Sequence, residues 1–326
     1  MRLSVLGGGA WGTALAAHAA RAGLRVRMWI RESEVASAVN ERRENPAYLP
    51  GVELPPDLRA TSVLAEALAD AETVLVVIPS EFCREIYRQA GRLAPAGVSF
   101  VSATKGLEIG TLQRMTQVAG AEASGRPLAA LSGPSFALEV AKALPTAVVV
   151  AAADHGVAER VQRALATRSF RVYSSEDVVG VELAGALKNV IAIAAGIIDG
   201  LGYGHNTEAA LITRGLAEIS RLAVALGARP DTLSGLAGLG DLVLTCTGAL
   251  SRNRTVGQRL GRGQSLAEAC AGIHPEGVRT TLAACALSER EAIEMPIARQ
   301  MKAVLYEGKP PREALEELML RSLKRE

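Results

Sequence analysis

From Val181 to Leu201 the chain reads VELAGALKNVIAIAAGIIDGL. Nearly every residue is aliphatic, alanine or glycine, yet Lys188 and Asn189 stand in the middle. A run this long and this apolar folds as a helix that buries most of itself. An ammonium inside such a helix must be paired, lose its proton, or serve a ligand. At 3.6 residues per turn, Gly185, Lys188, Ala192, Ala195 and Asp199 fall on one side, so the lysine is flanked by small residues. Small neighbours let another backbone or a ligand come close. A lysine snorkelling along an exposed stripe is the competing reading, and the apolar residues on the other faces weigh against it.

The rest of the chain must supply what this helix packs against. Its 326 residues suffice for about two domains, and 49% of them are hydrophobic. Basic and acidic residues nearly balance, 36 against 34, which argues against nucleic acid or an anionic membrane as partner. The opening MRLSVLGGG has no secretory pattern, and Glu182, Lys188, Asn189 and Asp199 interrupt the best candidate for a membrane span. Cys83, Cys246, Cys270 and Cys285 show neither metal spacing nor disulfide density. The four histidines are scattered. A soluble cytoplasmic protein with reduced cysteines and no metal is the expectation.

The chain begins with a strand, Leu3–Leu6, then Gly7-Gly8-Gly9-Ala10-Trp11-Gly12, a helix from Thr13 to about Ala22, and a second strand, Arg25–Ile30. This is a βαβ unit with G-x-G-x-x-G at the strand-to-helix turn, the arrangement that binds a dinucleotide. Gly7 allows the tight turn, Gly9 the approach of a pyrophosphate, and Gly12 the close packing of helix on strand. The helix N-terminus then offers N–H groups to the phosphates. Arg31 stands where an acid would bond the ribose 2′-hydroxyl of NAD, so NADP is favoured, with NAD possible. An ordinary loop charge is the competing reading of Arg31.

Residues 40–60 read as an irregular excursion. Strand-like runs follow at Thr73–Ile78, Val98–Ala103, Pro127–Leu131, Thr146–Ala151 and Phe170–Tyr173. Strands alternating with helices imply a mainly parallel sheet covered on both faces, with ligands beyond the strands' carboxyl ends. Lys105 and Ser132–Ser135 lie just after strands and would rim one crevice. After about Ser175 the strand signals stop. Helical stretches follow at about 178–201, 206–226, 232–238, 253–261, 265–271, 277–289, 297–306 and 311–324. The expected domains are 1–176, a doubly wound α/β dinucleotide-binding domain, and 177–326, an all-helical substrate domain.

Two more polar islands lie in the helical part. Asp241 and Thr245 are four apart and share a helix face; an ordinary N-cap is the other reading of Asp241. Ser251-Arg252-Asn253 opens a helix, with Ser251 as cap and Arg252 beside the first N–H groups. This is either an anion site or an ordinary basic helix start.

These stretches also read together. GGGAWGTALA at 7–16, SGPSFALEV at 132–140 and LKNVIAIAAGIIDGLGYGHNTEAALITRG at 187–215 combine with ATKGLE at 103–108, GLGDLVLTCTGALSRNRTVG at 238–257 and the Glu276-Gly277 pair. Together they resemble the bacterial NAD(P)-dependent glycerol-3-phosphate dehydrogenases over nearly the whole chain. The resemblance implies a Rossmann-type domain followed by an all-α domain, and the interconversion of dihydroxyacetone phosphate and sn-glycerol 3-phosphate for phospholipid synthesis. It implies that Lys188 transfers the proton, with Asn189 beside it. It assigns Lys105, Gly133, Ser135, Asp241, Ser251, Arg252 and Asn253 to the substrate, to which the shared helix face adds Thr245. It assigns Trp11, Arg31, Lys105, Ala137, Arg252 and Glu276 to the cofactor, beside the loop Gly7, Gly9, Ala10 and Gly12. A homodimer is the family-level expectation. Two residues depart from the family pattern: Ala10 replaces a serine, and His274 an aliphatic residue two before Glu276. The competing functions are a related reductase of a keto acid, which would need a carboxylate clamp, and a nucleotide-sensing regulator without catalysis.

Overall fold

The computed structural model describes residues 1–320. They divide into two compact units, Met1–Glu108 with Gln113–Glu182, and Ile109–Leu112 with residues 183–320.

The first unit alternates strands and helices: β1 (Arg2–Leu6), α1 (Ala10–Arg21), β2 (Arg25–Trp29), α2 (Ser33–Arg42), β3 (Arg59–Thr61), α3 (Leu64–Leu68), β4 (Thr73–Val76), α4 (Cys83–Leu93), β5 (Ser99–Ser102), α5 (Met115–Glu122), β6 (Leu128–Ser132), α6 (Ala137–Ala141), β7 (Thr146–Ala151), α7 (His155–Leu165) and β8 (Phe170–Ser175). The eight strands form one sheet in the order β3-β2-β1-β4-β5-β6-β7-β8. All pairings are parallel except β6 with β7. The central strands β1, β4, β5 and β6 are buried on both faces and mostly lack alternation, whereas β2 and β8, nearer the edges, alternate exposed and buried residues. One core layer joins them to α1, α2, α6 and α7 through residues such as Leu15, Val35, Val140 and Val161. The other joins them to α3, α4 and α5 through Leu64, Tyr87 and Val118. The strand order reverses beside β1, whose neighbours are β2 and β4. The glycine turn leaves β1 at that point, where a doubly wound sheet opens a crevice for a ligand.

α8 (Val178–Gly200) has the length and hydropathy of a membrane span, but its whole apolar window is buried. Its first turns are anchored by Glu182, a buried carboxylate that accepts from Thr116 N at 2.8 Å, Thr116 Oγ1 at 2.6 Å and Arg114 Nη1 at 2.5 Å. The second unit is helical: α9 (His205–Ala225), α10 (Pro230–Ser234), α11 (Asp241–Thr247), α12 (Arg252–Gly261), α13 (Leu266–Ala269), α14 (Glu276–Arg290), α15 (Pro296–Tyr306) and α16 (Pro311–Met319). Three of them press on α8 through glycine. Positions for a Cβ on Gly215 of α9, Gly257 of α12 and Gly277 of α14 lie 2.6, 2.0 and 2.5 Å from atoms of α8.

The structure differs from the sequence expectations at several elements. α1 begins at Ala10, before Trp11 and Gly12, because the chain turns helical directly after Gly9. β3 falls at the end of the stretch read as irregular; it is three residues long with only Ala60 buried, too short to leave a pattern. The helix expected over 232–238 is a short α10 followed by a π-helical turn, Leu236–Gly240. The expectation for 321–324 lies outside the described residues.

His18 shows how tightly the first unit is joined. On α1, it donates from Nε2 to Leu165 O at the end of α7, at 2.7 Å, and its ring lies 4.2 Å from that of Phe170. Burial holds its pKa below the ordinary histidine value, against the opposing effect of the Leu165 bond. The folded state therefore keeps His18 neutral where the unfolded chain takes up a proton. Its contribution is fully present above the unfolded value and is lost as pH falls through the lowered one. Between about pH 7.5 and about pH 5.5 the urea midpoint of the wild type should fall more than that of His18→Gln. Equal falls in the two proteins contradict this.

Candidate active site

In the first unit the glycine turn is shaped by close approach. Gly7 has φ +128°, and a Cβ there would stand 2.2 Å from Val77 O. A Cβ on Gly12 would stand 2.1 Å from Gly7 O, so the first turn of α1 rests on the loop itself. Gly9 is different: nothing lies within 4 Å of its missing Cβ. It is the N-cap of α1 and no side chain caps that helix. Trp11 Nε1 is buried and has no partner among the described residues. An open loop, an uncapped helix start and an orphaned donor fit a dinucleotide whose pyrophosphate sits on α1. Ala10 and Trp11 pack against the same core layer as Ala137, the first residue of α6.

The loop is held from behind by a residue that the motif does not reveal. Asn45 is fully buried and donates from Nδ2 to Gly8 O and to Thr13 Oγ1, both at 2.8 Å, while accepting from Tyr48 N. In the sequence it reads only as half of an Asn-Pro turn.

At the end of β2, the Arg31 side chain is 73% exposed and pairs with Glu32 at 2.8 Å. An acid and a guanidinium thus stand side by side after β2, the position at which dinucleotide-binding folds in general read the ribose 2′ group. Further along the sheet, Lys105 donates to Gly133 O at 2.8 Å and to Ser135 Oγ at 3.3 Å, and Ser135 Oγ donates to Gly133 O at 2.8 Å. These three sequence-predicted residues form one cluster at the ends of β5 and β6.

In the second unit Lys188 is buried, and its ammonium donates to Asp241 Oδ1 and Thr245 Oγ1, each at 2.5 Å. Asp241 is the first residue of α11, set there by the π-helical turn, and Thr245 lies one turn on. The Thr245 hydroxyl donates to Asp241 O at 2.6 Å, which turns its lone pairs to the lysine. The surroundings are dry. Burial pushes the adjacent Cys246 thiol up to about 12 although the Lys188 charge opposes it.

Ser251 caps α12 by accepting from Arg254 N at 3.2 Å. Arg252 follows with an exposed side chain. Asn253 is buried and bonds Asn189, the neighbour of Lys188, at 2.9 Å. Its Oδ1 accepts from Gly277 N at 2.9 Å, directly after Glu276 at the start of α14. The structure therefore connects Lys188, Asn189, Asp241, Thr245, Ser251, Arg252, Asn253 and Glu276 through three helix starts gathered on α8. His274 lies exposed before α14 and takes part in none of these bonds.

Comparison with known proteins agrees with this geometry. Family models described as the N-terminus and the C-terminus of NAD-dependent glycerol-3-phosphate dehydrogenase match residues 2–158 and 177–316. A glycerol-3-phosphate dehydrogenase [NAD(P)+] of Geobacter sulfurreducens is 52% identical over 330 residues, covering 100% of this chain and 98% of that one. The crystal structure of glycerol-3-phosphate dehydrogenase from Coxiella burnetii superimposes with a TM-score of 0.95 at 42% identity, covering 98% and 99% of the two chains. That of the yeast Saccharomyces cerevisiae gives 0.81 at 29% identity, covering 97% and 98%. With both halves matched in order, the chain belongs to the glycerol-3-phosphate dehydrogenase family.

Proposed function

We propose that this protein interconverts dihydroxyacetone phosphate and sn-glycerol 3-phosphate with NAD(P)H, supplying glycerol 3-phosphate for phospholipid synthesis. The observation that carries the reading is the Lys188 ammonium, buried in an apolar helix and bonded to Asp241 and Thr245. When bound, the nicotinamide supplies the hydride taken up at the C2 carbonyl carbon. Lys188 stabilises the oxygen that gains negative charge and gives it a proton; in the reverse direction its amine takes the proton back. Asp241 balances the charge and, with Thr245, fixes where the ammonium points.

The first N–H groups of α12 and the Arg252 guanidinium hold the phosphate. Binding energy from this unreactive group goes into positioning the carbonyl. Lys105, Gly133, Ser135 and Asn189 complete the proposed substrate contacts. Gly7, Gly9, Ala10, Trp11, Gly12, Arg31, Ala137 and Glu276 are the proposed cofactor contacts, joined by Lys105 and Arg252. Arg31 suits the 2′-phosphate of NADP, and Glu32 beside it suits the hydroxyl of NAD. A cytoplasmic homodimer is the proposed form.

Lys188→Ala should lower kcat at least about a hundredfold, as for loss of a general acid, with NADPH binding retained. An unchanged kcat sinks the assignment. Arg252→Ala should mainly raise KM for dihydroxyacetone phosphate, by about tenfold or more, as for loss of a charged clamp. If turnover of phosphate-free dihydroxyacetone fell equally, Arg252 is not the phosphate clamp.

A further inference from the structure

Arg84, in the first turn of α4, holds three side chains at once. Its Nε and Nη2 donate to the two carboxylate oxygens of Glu108 at 2.8 and 2.7 Å. Nη2 also donates to Gln113 Oε1 at 2.9 Å, and Nη1 to Glu122 Oε1 at 2.5 Å. Glu122, at the end of α5, accepts in turn from Arg88 Nε at 3.0 Å, one turn along α4. A single exposed ion pair contributes little, but a bidentate pair inside a part-buried network holds its geometry.

This fork fixes the far end of the loop that carries Lys105 away from β5. The near end is pinned at Thr104, whose hydroxyl donates to Ile78 O beyond β4 at 2.7 Å. The far end is closed at a neck: Leu107 is bridged to Arg114, and Glu108 N donates to Gln113 O at 3.0 Å. Arg84 clamps both sides of that neck through the Glu108 and Gln113 side chains. Only Lys105 and Gly106 stand between Thr104 and the bridged Leu107. From this short span the Lys105 ammonium reaches Gly133 O and Ser135 Oγ.

We propose that Arg84 is a positioning residue: with Glu108 it sets the backbone from which Lys105 meets substrate and cofactor. It acts through the loop, since its guanidinium is spent on Glu108, Gln113 and Glu122. This rests on the reading of Lys105 as a substrate and cofactor contact. A lysine does not replace Arg84, because an ammonium is a point charge without the planar fork that spans both Glu108 oxygens. Release of the neck lets Lys105 drift, and a misplacement of about 1 Å costs on the order of a hundredfold in rate.

The test is a double-mutant cycle in the full-length enzyme, with Arg84→Gln, Lys105→Ala and the two combined. Arg84→Gln should raise KM for dihydroxyacetone phosphate at least about fivefold, and Lys105→Ala at least as much. The double variant should be no worse than Lys105→Ala alone, because a side chain already removed has no position to lose. Should Arg84→Gln fail to fold, Arg84→Lys keeps the charge without the fork and takes its place in the cycle. Wild-type kinetics in the folded Arg84 variant, beside an impaired Lys105→Ala, overturns the proposal. A double variant whose loss is the product of the two single losses also overturns it, because Arg84 would then act by a route other than Lys105. Wild-type kinetics in Lys105→Ala sinks the reading of Lys105, and the proposal with it.

Discussion

The structure depends on keeping one ammonium charged inside a hydrocarbon interior. Removing a lysine from water costs several kcal/mol even after relaxation, and a single counter-ion repays this only in good geometry with its remaining bonds satisfied. Asp241 supplies the charge and Thr245 a second acceptor, and Thr245 is itself oriented by the Asp241 carbonyl. The same dryness that makes the pair costly strengthens its field on anything bound beside it. Leu242 and Cys246 beside the pair are fully buried, and that burial pushes the Cys246 thiol up to about 12.

Much of the helical unit follows from that constraint. The lysine must sit on a helix with apolar residues on its other faces, so α8 becomes the helix that the others surround. Other helices can bring polar groups to it only by coming very close, and glycines on α9, α12 and α14 permit that approach. Two of those helices begin beside the lysine's neighbour Asn189, through Asn253 and Gly277. Helix starts are where N–H groups and positive dipole ends are available, so the packing that protects the lysine also gathers the helix starts on which the proposed phosphate site rests.

Long, strongly patterned features were legible in the sequence. The parallel sheet announced itself through short β-branched runs, the glycine turn through its spacing, and α8 through its length and apolarity. The shared face of Asp241 and Thr245 was readable from a separation of four. No local pattern gave their common target, because Lys188 lies 53 residues before Asp241; only the family resemblance brought Asp241 and Lys188 into one site. Asn45 escaped for the same reason, as did the tie from Asn253 to Asn189 and Gly277: an asparagine that joins distant segments looks like any turn or cap residue. β3 left no trace because three residues with one buried side chain carry no period. The π-helical turn before Asp241 was hidden in a glycine-rich segment whose propensities favour no regular element.

The most direct measurement is the pH dependence of kcat for reduction in the wild type and in Asp241→Asn. Loss of the negative charge beside the ammonium makes its proton easier to lose. The alkaline limb of the profile should therefore move to lower pH in the variant, with NADPH affinity unchanged. An alkaline limb at the same pH in both enzymes would contradict the account, because the group titrating in catalysis would then not be the lysine that Asp241 holds.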